Sequence, residues 1–269
     1  MPRIKTLVLA AAGVLVVAGG ALTVLDVTRD DRRSELTAAL ADLAVTAPEF
    51  SVAVLDETNG ERFSYRGDEQ FTTASVVKAD VLACTLLRAQ DEDRRLSAEQ
   101  RELTARMIRA SDNDATTALF EQLGAAGGLT GCNGRIGLEE TTVDPKWGLS
   151  RTTADDQVRL LGDLAGDESP LGADSRRYAL DLMSTVNADQ DWGVPAVARD
   201  GETAAVKNGW DTSTADGGRW VVNSIGRVVS ADRDTDVSIA VLSHGNASMA
   251  DGIALVERVA GLTRDHLAY

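Results

Sequence analysis

Apolar and polar positions alternate with different periods along this chain, and the changes of period divide it. From Asp30 to Val45 the apolar residues Leu36, Ala39, Leu40 and Leu43 fall at the spacing of an amphipathic helix. Two strand-like segments follow, Phe50–Asp56 and Arg62–Tyr65. The Asn59-Gly60 pair between them is a strong hairpin signal. A helix is predicted from Ser75 to about Gln90. Between Val76 and Leu87 it is apolar on nearly every side, interrupted mainly by Lys78, Asp80 and Thr85, which marks a buried central helix.

Ser97-Ala-Glu-Gln100 is a capping-box pattern and opens a helix to about Arg109. Ser111-Asp112-Asn113 interrupts the helical pattern before a further helix over Asp114–Leu123. Gly124 to Gly128 then break the chain ahead of a short helix ending near Ile136-Gly137. Residues Thr141 to Thr153 are irregular, and helices are predicted across Ala154–Leu164 and Ser175–Thr185. After that the period shortens: Thr203–Trp210, Arg219–Ser230 and Asp236–Ser243 are strand-like, and a helix from about Ser248 to Leu262 closes the chain. Strands at both ends with helices between them predict an α/β chain of the α+β kind. It should hold a mostly antiparallel sheet flanked by terminal helices, plus an all-helical lobe.

Composition adds a compartment. An apolar run from Thr6 to Leu25 follows Arg3 and Lys5 and is about 20 residues long, enough to cross a bilayer. Residues 1–25 are therefore expected to be a signal peptide or an N-terminal transmembrane anchor, 26–47 a linker and first helix, and 48–269 the main domain. The domain is expected to be exported, secreted if the run is cleaved and otherwise membrane-attached through it. A net charge of −15 argues against a nucleic-acid partner, because phosphate neutralisation needs clustered Lys and Arg. Cys84 and Cys132 lie in helical segments. In an oxidising compartment they form one disulfide, or else they are two buried thiols. With only His244 and His266 beside them, no metal site is expected, and no cofactor.

The chemistry is carried by lysine. Only four of the 27 basic residues are lysines, and an amine can lose its proton on burial where a guanidinium cannot. Ser75 and Lys78 are three apart, so on a helix they share a face. Burial would lower the amine toward a value useful for a base acting on the serine hydroxyl. A serine in the first helical turn also offers a backbone N–H without an intrahelical partner. Ser111-Asp112-Asn113 taken alone is a helix cap, and Lys207-Asn208-Gly209 taken alone a strand end before a turn.

Together, in this order, the three segments resemble the Ser-x-x-Lys, Ser-Asp-Asn and Lys-Thr-Gly elements of the serine β-lactamases and penicillin-binding proteins, and the arrangement is similar to the class A branch. The resemblance implies a β-lactamase-like serine acyl-hydrolase, acting as a monomer on a β-lactam or a peptidoglycan-like peptide, with β-lactamase, penicillin-binding or D-Ala-D-Ala peptidase-type activity. It implies Ser75 as nucleophile, Lys78 as its base and Ser111 as proton donor to the leaving nitrogen. Asn113 would position substrate, Lys207 would supply positive potential, and the N–H groups of Ser75 and Trp210 would form the oxyanion hole beside Gly209. Arg219, on the next strand, would anchor a substrate carboxylate. Two positions depart from the pattern. Asn208 replaces a Thr or Ser hydroxyl. In the loop Val143-Asp-Pro-Lys-Trp147-Gly-Leu-Ser150, Gly148 stands where the water-activating glutamate would be. An acyl-enzyme that forms faster than it hydrolyses is expected. The alternative is a cell-envelope binding or regulatory module that keeps the fold without the chemistry.

Overall fold

The computed structural model describes residues 12–267 and Tyr269. In chain order the elements are α1 (Ala12–Ala44), β1 (Glu49–Asp56), β2 (Arg62–Tyr65), β3 (Phe71–Thr72), α2 (Val77–Asp91), α3 (Ala98–Arg109), α4 (Asn113–Leu123) and α5 (Ala125–Arg135). After these come β4 (Arg151–Thr152), α6 (Ala154–Ala165), α7 (Ala173–Met183), β5 (Glu202–Ser213), β6 (Arg219–Ser230), β7 (Asp236–His244) and α8 (Met249–Leu267). A short 3-10 turn, Ala74–Val76, leads into α2.

Five strands form one antiparallel sheet in the order β2-β1-β7-β6-β5, and β3 pairs with β4 in a small second one. Strand alternation feeds two cores, one on each face of the large sheet. Phe50, Val52 and Val54 of β1 and Val237, Ile239 and Val241 of β7 pack with Leu36 and Leu40 of α1 and Val256 and Val259 of α8. The intervening Ala53, Leu55, Ala240 and Leu242 turn the other way, toward α6 and the helical lobe. Burial on both faces is why these strands read as nearly continuous apolar runs.

At the centre of the lobe lies α2, in which every residue from Val77 to Leu87 is buried. The capping box opens α3, with Gln100 N–H donating to Ser97 Oγ at 3.0 Å and Ser97 N–H to Gln100 Oε1 at 3.2 Å. Cys84 of α2 and Cys132 of α5 are bonded, which settles the two alternatives left open by composition.

Three sequence expectations change. First, α1 is continuous from Ala12, well before Asp30. The apolar run Thr6–Leu25 begins outside the described residues, and among those described no helix is long and apolar enough to cross a membrane. Second, the glycine cluster breaks the chain only at Gly124, whose φ of 99° caps α4, while α5 starts at once and runs through Gly127 and Gly128. Gly128 is required there because a Cβ would meet the Leu123 carbonyl oxygen at 1.9 Å. Third, β5 extends past Trp210 to Ser213, because Asp211, Thr212 and Ser213 pair with Val221, Trp220 and Arg219 where polarity suggested a turn.

Candidate active site

Ser75 sits half-buried in the 3-10 turn that feeds α2, just after Ala74, whose φ of 45° is left-handed and costly for a residue with a side chain. One turn on, Lys78 Nζ lies 2.9 Å from Ser75 Oγ, 2.7 Å from the Ser111 carbonyl, 3.0 Å from Ser111 Oγ and 2.8 Å from Asn113 Oδ1. An ammonium has three N–H groups for these four oxygens. A neutral amine instead donates two and accepts the Ser75 O–H with its lone pair. Burial favours that state: it lowers the Lys78 pKa to about 7, opposed by the Asp112 carboxylate.

Ser111 is also left-handed, with φ 54°, which directs both its carbonyl and its hydroxyl at Lys78. Asp112 turns away. It caps α4 by accepting from Ala115 N–H at 2.8 Å and is held by Arg106 at 2.7 Å. From the other side Lys207 Nζ donates to Ser111 Oγ at 3.2 Å and to the Asn208 carbonyl at 2.6 Å. Ser111 Oγ therefore lies between two amines and keeps its own O–H to donate. Lys207 is held well below its ordinary pKa by burial first and by Lys78 second.

Gly209 explains itself sterically: a Cβ on it would lie 2.7 Å from the backbone nitrogens of both Ser75 and Val76. As the edge strand of the sheet, β5 leaves the backbone groups of its outer side without a strand partner, and the Ser75 turn packs against that strand. The peptide of Trp210 follows directly. Three chain segments predicted from sequence thus meet at Ser75.

A profile of the β-lactamase enzyme family matches residues 32–101 and 90–267. The chain belongs to the β-lactamase enzyme family. It is 28% identical over 183 residues to "Putative lipoprotein LppW" of Mycobacterium tuberculosis, covering 64% of this chain and 57% of that one. It is 27% identical over 172 residues to the carbapenem-hydrolyzing β-lactamase KPC of Klebsiella oxytoca, covering 53% of this chain and 57% of that one. The chain thus spans a little over half the length of the curated relatives it matches. Among solved structures, the last common ancestor of Gram-negative bacteria class A β-lactamase superposes with a TM-score of 0.71 at 27% identity, over 86% of this chain and 98% of that one. A β-lactamase from Xanthomonas campestris pv. campestris has the same fold, with a TM-score of 0.73 at 21% identity over 89% and 97%.

This β-lactamase family member departs from the expected site at several residues. Asn208 is buried and aimed away from Ser75, its amide donating to the carbonyls of Gln190 at 2.8 Å and Trp192 at 2.9 Å. Arg219 is exposed and donates to the Gly245 carbonyl at 2.9 Å. Pairing with Ser213, it lies about 20 Å along the strand from Ile225, the partner of Lys207, so it does not join the site. The residue opposite Gly209 is Asn223, which sequence reasoning missed. Its amide donates to the carbonyls of Thr72 and Thr73 at 2.9 and 3.1 Å and its Oδ1 accepts from Ser243 N–H, bracing the backbone that leads to Ser75. The one available signal was a polar Asn-Ser pair inside an apolar strand.

Trp147 was only a landmark in the sequence. In the fold its ring centroid lies 5.0 Å from Lys78 Nζ, a cation–π distance, with its Nε1–H donating to Thr117 Oγ1 at 3.2 Å. Glu139 and Glu140 are exposed, and Asp144 Oδ1 accepts from Lys146 N–H. Lys78 thus faces an indole on the side of the loop where a carboxylate was sought.

Proposed function

We propose that this chain is an exported serine acyl-hydrolase in which Ser75 is acylated by a β-lactam or a peptidoglycan-like amide and the acyl group leaves slowly. The observation that carries the reading is the 2.9 Å contact between Ser75 Oγ and the buried amine of Lys78. In the neutral form Lys78 takes the Ser75 proton as Oγ bonds to the carbonyl carbon, and the displaced electron pair rests on the oxygen, held by the N–H groups of Ser75 and Trp210. The pair returns, the C–N bond breaks, and the leaving nitrogen receives the Ser111 proton, which protonated Lys78 replaces. Asn113 holds Lys78 in line, and Lys207 keeps the Ser111 hydroxyl in place. Release needs an activated water, and the indole of Trp147 cannot act as a base. Residues 48–269 form the catalytic body on this reading. All its groups come from one chain, which suits a monomer, while residues 1–25 direct it to the envelope.

A carbapenem-hydrolyzing enzyme and a lipoprotein-named protein among the relatives fit this chemistry and place. The reading of a binding or regulatory module draws on the burial of Asn208 and the position of Trp147. A chromogenic cephalosporin and a labelled penicillin, applied to wild type and Ser75→Ala, separate the cases. A stable label on Ser75 with weak, deacylation-limited turnover is the expected outcome. Ligand binding that survives Ser75→Ala unchanged, with no adduct in wild type, would favour the module.

A further inference from the structure

Lys78 is fully buried, and the four oxygens around its Nζ, from Ser75, Ser111 and Asn113, are all neutral. When it takes the proton of Ser75, the new ammonium gains no carboxylate partner, and a buried charge without one is strongly unfavourable. The charged groups nearby do not supply it. Asp112 is turned to Arg106 and to the first turn of α4, and Asp80 on the same helix accepts from Gln157. Lys207 is a second amine, and Lys146 is exposed. The electron-rich surface that remains is the ring of Trp147, 5.0 Å from Nζ.

That ring is held from two directions. Its Nε1–H donates to Thr117 Oγ1 at 3.2 Å, and the Thr117 hydroxyl donates in turn to the Asn113 carbonyl at 3.0 Å, so the indole is tied to a residue that also binds Lys78. Along the chain, the Trp147 carbonyl accepts from Ser150 N–H at 3.1 Å, and the Ser150 carbonyl accepts from Thr73 N–H at 2.8 Å, just before Ser75. We propose that Trp147 is a positioning residue whose indole face stabilises the ammonium of Lys78 during acylation, in the place a counter-anion would occupy. The inference rests on the acylation reading above and adds a residue to it. As Ser75 Oγ bonds to the carbonyl carbon, its proton passes to the Lys78 lone pair. The charge so formed lies against the ring until the proton moves on through Ser111 to the nitrogen released when the C–N bond breaks. Burial pushes the Lys78 amine toward neutrality and the ring opposes it, so the group can both accept the proton and hold it.

Because the chain has only four lysines, carbon-labelled lysine gives a small set of Cε resonances in the full protein, and Lys78→Met identifies the Lys78 signal. Its titration midpoint should fall by about half a pH unit or more in Trp147→Leu, which loses the ring face, and recover in part in Trp147→Phe. A purely structural role would not separate Leu from Phe. An unchanged midpoint in folded Trp147→Leu overturns the inference. Fluorinated tryptophan analogues weaken the ring face and keep its shape, which covers a leucine variant that does not fold. The midpoint should then fall with each added fluorine and stay constant in Trp147→Phe, and a midpoint indifferent to fluorination in the wild-type sequence overturns the inference equally. A labelled penicillin applied to wild type separates the two readings. An adduct on Ser75 with an unmoved midpoint overturns this inference alone. A moved midpoint with no adduct removes the acylation reading, and with it the proton transfer assigned to the contact.

Discussion

Lys78 sets the expected pH behaviour of the site. Its base form is the neutral amine, and burial brings the pKa down to about 7. Below that value the amine is protonated and cannot take the serine proton, so acylation should fall about tenfold per pH unit, and above it the rate should level off. Asp80, two residues along the same helix, is raised to about 7 by its own burial, with Gln157 as a side-chain partner. Stopped-flow acylation of wild type and Asp80→Asn distinguishes the two titrations. The midpoint should stay in place in Asp80→Asn, and its disappearance there would assign the profile to the carboxyl. The importance of Lys78 and Lys207 was legible from the rarity of lysine. Trp147 and Asn223 were not, because their roles exist only through groups brought near them by folding.

At the scale of elements, what was legible followed local chemistry. Asn59-Gly60, the Ser97–Gln100 capping box and the apolar run of α2 each specify structure within a few residues. The length of the β5–β6 hairpin does not follow in this way. Asp211, Thr212 and Ser213 have turn-like polarity but are paired across the ladder, and that added length carries Arg219 away from the site. The 147–149 turn offers a direct experiment. Gly148 has an ordinary φ, and a Cβ there would meet nothing within 4 Å, so a longer side chain can be accommodated. Gly148→Glu should supply the missing base and shorten the lifetime of the acyl-enzyme by about tenfold or more, with a smaller change in acylation. Pulse-chase mass measurement of the adduct reads both steps, and an unchanged lifetime would show that position 148 cannot deliver a base to the ester.

In the molecule as a whole, the site lies where the free edge of the sheet meets the helical lobe. The sheet is held by two cores, so the alignment of β5 with Ser75 depends on the lobe keeping its own shape. The Cys84–Cys132 bond serves that shape by joining α2 to α5. Replacing both cysteines with alanine should lower stability by about 2–4 kcal/mol, read as a lower urea midpoint, and a reductant should then have no further effect. An unchanged midpoint would mean that packing alone fixes α5. The pairing was left open by sequence because two helical cysteines among apolar neighbours suit a bond or two thiols equally well. The bond also closes a covalent ring that contains Ser111 and Asn113, with Ser75 and Lys78 just outside it on the chain entering at Cys84. A single protease cut anywhere between the two cysteines would therefore yield two polypeptides still linked in one molecule. The nucleophile and its proton relay would stay attached to each other after a nick that would otherwise separate them.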